Sequence, residues 1–213
     1  MRRTAALLAA CLACGAAVAQ TPSVQAPPPD RMPQIPPGDL TPAQKQASDE
    51  FLAARKTPVF GPFVPLLRSP ELMTTARAMG DYLRYKSTLE PRLSEFAILI
   101  VAREWTQDLE WQVHQPIALK AGLRPEIVQA VADGRRPPGM AEDEEIVWDF
   151  AAELHRTKGV SDATYARALA RFGEQGVMDL AGINGYYTLL AMAMNAARTA
   201  PPGGVPPLPR LPR

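Results

Sequence analysis

PRLSEFAILIVAREW, residues 91–105, is the stretch on which the fold turns. Pro91 suits the first turn of a helix, where a missing N–H removes no hydrogen bond. From Phe96 to Ala102 every side chain is apolar. A helix without a polar face can sit only among several other helices, so this one is expected at the centre of the molecule. Glu95 stands at the entrance to that apolar run. No alternating stretch long enough for a strand occurs elsewhere, and the expected fold class is all-α, a bundle of about six to eight helices.

The segment that follows carries the candidate chemistry. Thr106 is placed to cap a second helix running to Ala121, and Gly122 ends it by accepting a left-handed backbone. Within this helix, DLEWQVHQP (108–116) contains one of the chain's two histidines. Gln107, Glu110 and His114 are three and four residues apart and share one face. Pro116 should kink the helix, because its ring clashes with the carbonyl of Gln112.

Helical punctuation extends in both directions. In TPAQKQASDEFLAARK (41–56), Thr41 reads as an N-cap with Pro42 at the first helical position. TPVFGPFVPLLRSP (57–70) has four prolines and a glycine, which predicts an irregular surface crossing with Phe60, Phe63 and Leu66 packing down. Pro70 opens a helix whose apolar positions are Leu72, Ala76, Met79 and Leu83. In EDEEIVWDFAAELHRTKG (142–159), acidic residues begin the helix, while His155, Arg156 and Lys158 end it, which suits the macrodipole. Ser161 begins a further helix that Gly173 stops, and Val177, Leu180, Ile183, Tyr187, Leu190 and Met194 mark the apolar face of a long last one.

The ends are of a different kind. Arg2 and Arg3 precede an apolar run that closes on Ala17-Val18-Ala19, the pattern of a signal peptide cleaved after Ala19, and the run is too short to span a bilayer comfortably. A periplasmic or secreted protein is expected, with a lipoprotein anchored at Cys11 or Cys14 as the variant. Cleavage after Ala19 would remove both cysteines and leave 21 basic residues against 22 acidic ones. Such a chain has no disulfide or thiolate and nothing to attract nucleic acid. Residues 20–40 are proline-rich and read as a disordered, extended tether; residues 201–213 read as a proline-rich tail, disordered or hugging the surface. The globular domain is therefore expected at 41–200.

A histidine one helical turn from a carboxylate can be held in one orientation with its charged form favoured. Glu95, arriving from the neighbouring helix, would add a second carboxylate, so that one pocket holds a proton donor and an acceptor. Gln107, Trp105, Trp111 and Tyr187 are candidates for lining such a pocket. The same residues admit a plainer reading. Glu–His pairs at this spacing are common on solvated faces and contribute about 0.2 to 0.5 kcal/mol, while the tryptophans, Tyr186, Tyr187 and Asn195 are natural packing or interface groups. The pair works only if its helix turns inward. No metal or cofactor is expected, since the second histidine is not at ligand spacing.

Three blocks, LSEFAILIVARE (93–104), LEWQVHQPIALKAGL (109–123) and VSDATYARALARFGEQGVMDLAGINGYYTLLAMAMNA (160–196), resemble in order the carboxymuconolactone decarboxylase family, small helical proteins related to alkylhydroperoxidase D. The resemblance runs from about residue 57 to 200 and implies an AhpD-like helical bundle, assembled as trimers or hexamers. In the peroxidase branch a glutamate, a Cys-x-x-Cys pair and a histidine form a thiolate relay. Here the glutamate and histidine positions match Glu95 and His114, but the cysteine positions carry Gln107 and Glu110, which removes thiol peroxidase chemistry. The decarboxylase branch resembles what remains, with Glu110 and His114 at its Glu-x-x-x-His spacing, although such enzymes are usually shorter and intracellular. The implied activity is a cofactor-free lyase or isomerase acting on a small carboxylated lactone or related organic acid. His114 would protonate carbon, Glu110 would orient it and Glu95 would relay protons. The alternative is an exported, non-catalytic small-molecule-binding or assembly protein on the same scaffold.

Overall fold

The structure is a computed structural model and describes residues 29–201 and 207–211. The expected signal peptide, both cysteines and the first part of the expected tether lie outside the described residues. Among them eight α-helices follow one another: α1 (Pro42–Arg55), α2 (Phe63–Leu66), α3 (Pro70–Tyr85), α4 (Pro91–Glu104), α5 (Asp108–Lys120), α6 (Pro125–Ala132), α7 (Glu142–Thr157) and α8 (Asp162–Ala197). Among the described residues there is no strand.

Helix α4 occupies the centre, as its lack of a polar face requires. Every residue from Leu93 to Arg103 is buried, and α5, α6, α7 and α8 all pack on it. Phe96 stacks on Trp148 of α7 with ring centroids 6.3 Å apart. Arg92, at the start of α4, pins the start of α7 by reaching Asp143 at 2.7 Å and Glu144 at 2.5 Å.

Local signals set most helix ends where the residues predict them. Thr41 and Gln44 form a reciprocal capping box on α1. Gly122, at φ 97°, closes α5 with the Leu123 N–H on Ala118 O and its own N–H on Leu119 O. Gly173, at φ 68°, interrupts α8, so the two helices expected on either side of it are joined with a break. Three details differ. The 57–70 crossing contains the short helix α2, whose Phe63 and Leu66 are buried. Gln107 rather than Thr106 caps α5, its side chain accepting from Leu109 N at 2.8 Å, while Thr106 itself sits at φ 48°. On α3 the buried stripe is Met73, Ala76, Gly80 and Leu83, which leaves Leu72 and Met79 exposed.

That register comes from how α3 meets α8. Asp179 of α8 is buried and accepts from the Tyr82 hydroxyl at 2.9 Å, Thr88 N at 2.9 Å and Thr88 Oγ1 at 3.0 Å. Gly80 faces Tyr186 so closely that a Cβ would overlap the phenol ring. A glycine is needed there for approach, and it shifts the buried face by one residue from what hydrophobicity alone indicates.

The proline-rich ends touch the domain where they are described. Arg31 N–H donates to Ala197 O at 2.7 Å, and Gln34 Nε2 donates to Val59 O at 2.8 Å. From Asp30 onward, then, the tether lies along the bundle, because its few donors find carbonyls at the end of α8 and in the α1–α2 connection. At the other end Leu208 is buried, and Arg210 pairs with Asp108 at 2.6 Å. His155 also differs from expectation. It is partly buried, with Nε2 3.0 Å from Asn184 Oδ1, and burial lowers its pKa despite that hydrogen bond. Arg156 and Lys158 remain to meet the helix dipole.

Candidate active site

Glu95 is borne by α4, the helix that has no solvent-facing side, so the carboxylate is 6% exposed and must be satisfied from within. Helix α5 packs directly on α4 and turns His114 toward it. His114 Nδ1 lies 2.6 Å from Glu95 Oε2, and Nε2 lies 3.3 Å from Glu110 Oε2. The ring is thus held between two carboxylates, one from its own helix and one from its neighbour. His114 is 3% exposed and Glu110 4%, so the pair belongs to the interior and not to a solvated stripe.

Burial pushes the His114 pKa down, but the hydrogen bonds to Glu110 and Glu95 and their charges outweigh it, and the pKa is raised above its ordinary 6.5. The edge of the Tyr187 ring meets His114 with centroids 5.1 Å apart. Burial drives the Tyr187 pKa well up, so this wall stays a neutral phenol.

A cavity of about 70 Å³ adjoins the cluster. Glu110 and His114 line it together with Tyr186 and Tyr187 of α8, Arg84 of α3 and Arg55 of α1. Glu110 Oε1 is buried and receives no hydrogen bond. Arg84 approaches Glu95 Oε1 at 4.0 Å. Burial works against the Arg84 charge, yet Tyr187, Tyr85, Glu95 and Glu110 together raise its pKa.

Four of the candidates read from the residues converge here: Glu95, Glu110, His114 and Tyr187. Three do not. Gln107 and Trp105 line a separate cavity of about 500 Å³ beside the C-terminal tail, where Gln107 Nε2 donates to Asn195 Oδ1 at 2.9 Å. Trp111 is buried in the core and lines neither cavity. Arg55 and Arg84 were not singled out from the residues. Arg84 falls one turn after Gly80, on the flank of the buried stripe, and with Gly80 read as a gap in that stripe it passes for part of a solvated face. Among the described residues no three His, Cys, Asp or Glu side chains are grouped to hold a metal ion.

Two solved structures share this architecture. One, described as an alkylhydroperoxidase AhpD core, an uncharacterized peroxidase-related protein from Ralstonia eutropha JMP134, has a TM-score of 0.64 at 18% identity, covering 84% of this chain and 95% of that one. The chain has the AhpD-like fold. An uncharacterized peroxidase-related protein from Silicibacter sp. TM1040 gives 0.61 at 17% identity, over 82% and 93% of the two chains. No family model matches the chain, and no curated protein matches it.

The His114 charge has a consequence for stability. A histidine whose folded pKa is raised contributes stability that is complete below its unfolded value of 6.5 and is lost as pH climbs through the folded value. His155, with its lowered pKa, acts in the opposite sense below 6.5. Urea midpoints should therefore fall as pH rises above about 7, and His114→Gln should flatten that slope. An identical slope in the variant would remove His114 as its source.

Proposed function

We propose that the protein is an exported, cofactor-free lyase or isomerase of the carboxymuconolactone decarboxylase type, moving a proton on a small carboxylated lactone or related organic acid. The observation that carries this reading is the His114 imidazole locked between Glu95 and Glu110 inside a partly aromatic cavity. The cluster stores one proton where water is scarce and places an undonated carboxylate oxygen, Glu110 Oε1, beside it. For a lactone acid, the bond to the departing CO₂ breaks and its electron pair passes into an enolate. The enolate carbon then takes the proton held by the Glu110–His114 pair, and Glu95 helps return a proton from water. The two cysteines, Cys11 and Cys14, both precede the proposed cleavage point after Ala19, so the exported chain would carry no thiol.

The reading also includes self-association. Helix α8 exposes Met178, Gly185, Leu189 and Met192, and α3 exposes Leu72, Met79 and Tyr82. On α8 the spacing of these residues makes one continuous stripe, a surface that a second copy can cover.

Three measurements test these statements. His114→Gln should abolish conversion of carboxylated lactones, followed by mass spectrometry, while far-ultraviolet circular dichroism stays unchanged. Retained turnover defeats the enzymatic reading, and a ligand recovered unaltered after long incubation identifies a binding protein instead. Light scattering should give a mass of several chains, reduced by Leu189→Glu with Met192→Glu; a native monomer contradicts the assembly. Sequencing of protein recovered from a periplasmic extract should begin at Gln20, and a chain starting at Met1 removes the export reading.

A further inference from the structure

The cavity beside His114 has a cationic wall whose two arginines are not equivalent. Arg55 already has an ion-pair partner, with Nε 2.8 Å from Asp81 Oδ1 and its guanidinium over Phe63 at 5.7 Å, although its Nε–H is not aimed at an acceptor. The Arg84 side chain makes no hydrogen bond among the described residues. The carboxylate oxygen it approaches, Glu95 Oε1, stays at 4.0 Å, and its Nε is buried without an acceptor. The other oxygen of Glu95 is committed to His114 at 2.6 Å. The Arg84 guanidinium is meanwhile placed 5.2 Å from the Tyr85 ring centre, which orients the group without satisfying its donors.

A guanidinium offers five N–H groups in a rigid fork that matches a carboxylate; the Arg84 side chain is 20% exposed, and its Nε–H is the donor shut away from water, which is costly to leave empty. The charge count agrees with a missing anion. With His114 protonated, Arg55, Arg77, Arg84 and His114 stand against Asp81, Glu95 and Glu110, and one positive charge remains over. A monocarboxylate would cancel it.

We propose that Arg84 is the seat of the substrate's carboxylate, so that a small organic acid lies with its anionic end on Arg84 and its neighbouring carbon toward Glu110. Arg55, held by Asp81, contributes field rather than a hydrogen bond. The cavity's size limits the ligand to a small acid, and the aromatic rings of Tyr186 and Tyr187 give it an apolar side to rest against. The fate of the bound acid rests on the acid/base function proposed above; its recognition does not.

Propionate and its neutral analogue propionamide separate the two. In proton–nitrogen spectra of the full-length protein, propionate should shift the Arg84 Nε–H signal saturably, and propionamide should not. Arg84→Gln should weaken propionate binding by about ten-fold or more, in line with loss of a charge-assisted pair. Arg84→Lys, which keeps the charge but not the fork, should fall between; it also serves if Arg84→Gln does not fold. The proposal is overturned if native protein shows no saturable propionate binding, if propionamide binds equally well, or if the Arg84 variants bind propionate as native protein does. Active His114→Gln with weakened Arg84 variants would sink the acid/base function and leave this site standing.

Discussion

A carboxylate carried on a helix with no polar face is the constraint from which the site follows. Helix α4 must be enclosed because Phe96 through Ala102 offer nothing to water, and Glu95 goes inside with them. An ionised carboxylate so placed is tolerated only with partners. The fold supplies His114 at 2.6 Å from the adjacent helix and, farther off, Arg84 from α3. His114 in turn leans on Glu110, one helical turn earlier. His114 is the link between the two acids, so removing it leaves both carboxylates buried without their nearest cation.

Such a cluster is poor economy for stability alone. Apolar residues of similar volume in place of a buried ion pair or triad are often neutral or stabilising. Two buried acids around one imidazole, with a further carboxylate oxygen and a guanidinium left short of partners, is an arrangement that makes sense where a ligand completes it. The contrast with Asp179 is instructive. That acid is equally buried, yet it receives three hydrogen bonds from Tyr82 and Thr88 and leaves nothing open, which is what a purely structural carboxylate looks like.

Legibility followed interaction range. The centrality of α4, the caps at Thr41 and Ser161, the stops at Gly122 and Gly173 and the shared face of Glu110 and His114 all depend on neighbours within one or two turns, and all could be read from the residues. The one-residue rotation of α3 could not, because it is set by Tyr186, more than a hundred positions away, fitting over Gly80. For the same reason Leu72 and Met79 read as core and lie exposed. Gln107 read as a pocket residue by its spacing from Glu110, yet its side chain is spent on the α5 N-terminus and on Asn195 of α8. Arg84 escaped notice because a guanidinium on a helix flank has the same local pattern whether it faces water or a cavity.

The tail adds a mechanical element to this chemistry. Asp108 is the first residue of α5, two before Glu110, and it accepts from Leu208 N at 2.9 Å while its carboxylate takes both Arg210 nitrogens at 2.6 and 3.1 Å. Arg103, near the end of α4, donates to Pro209 O at 2.7 Å. The tail therefore bridges the end of the helix that carries Glu95 and the start of the helix that carries Glu110 and His114. Between them the chain turns through Thr106, held at a positive φ that a β-branched residue rarely adopts and braced by Arg103 Nη2 at 2.8 Å. A tight, unfavourable turn would open readily if only its own backbone held it. Tied across by residues a hundred positions further on, it keeps α4 and α5 in the register that puts an imidazole between their two carboxylates.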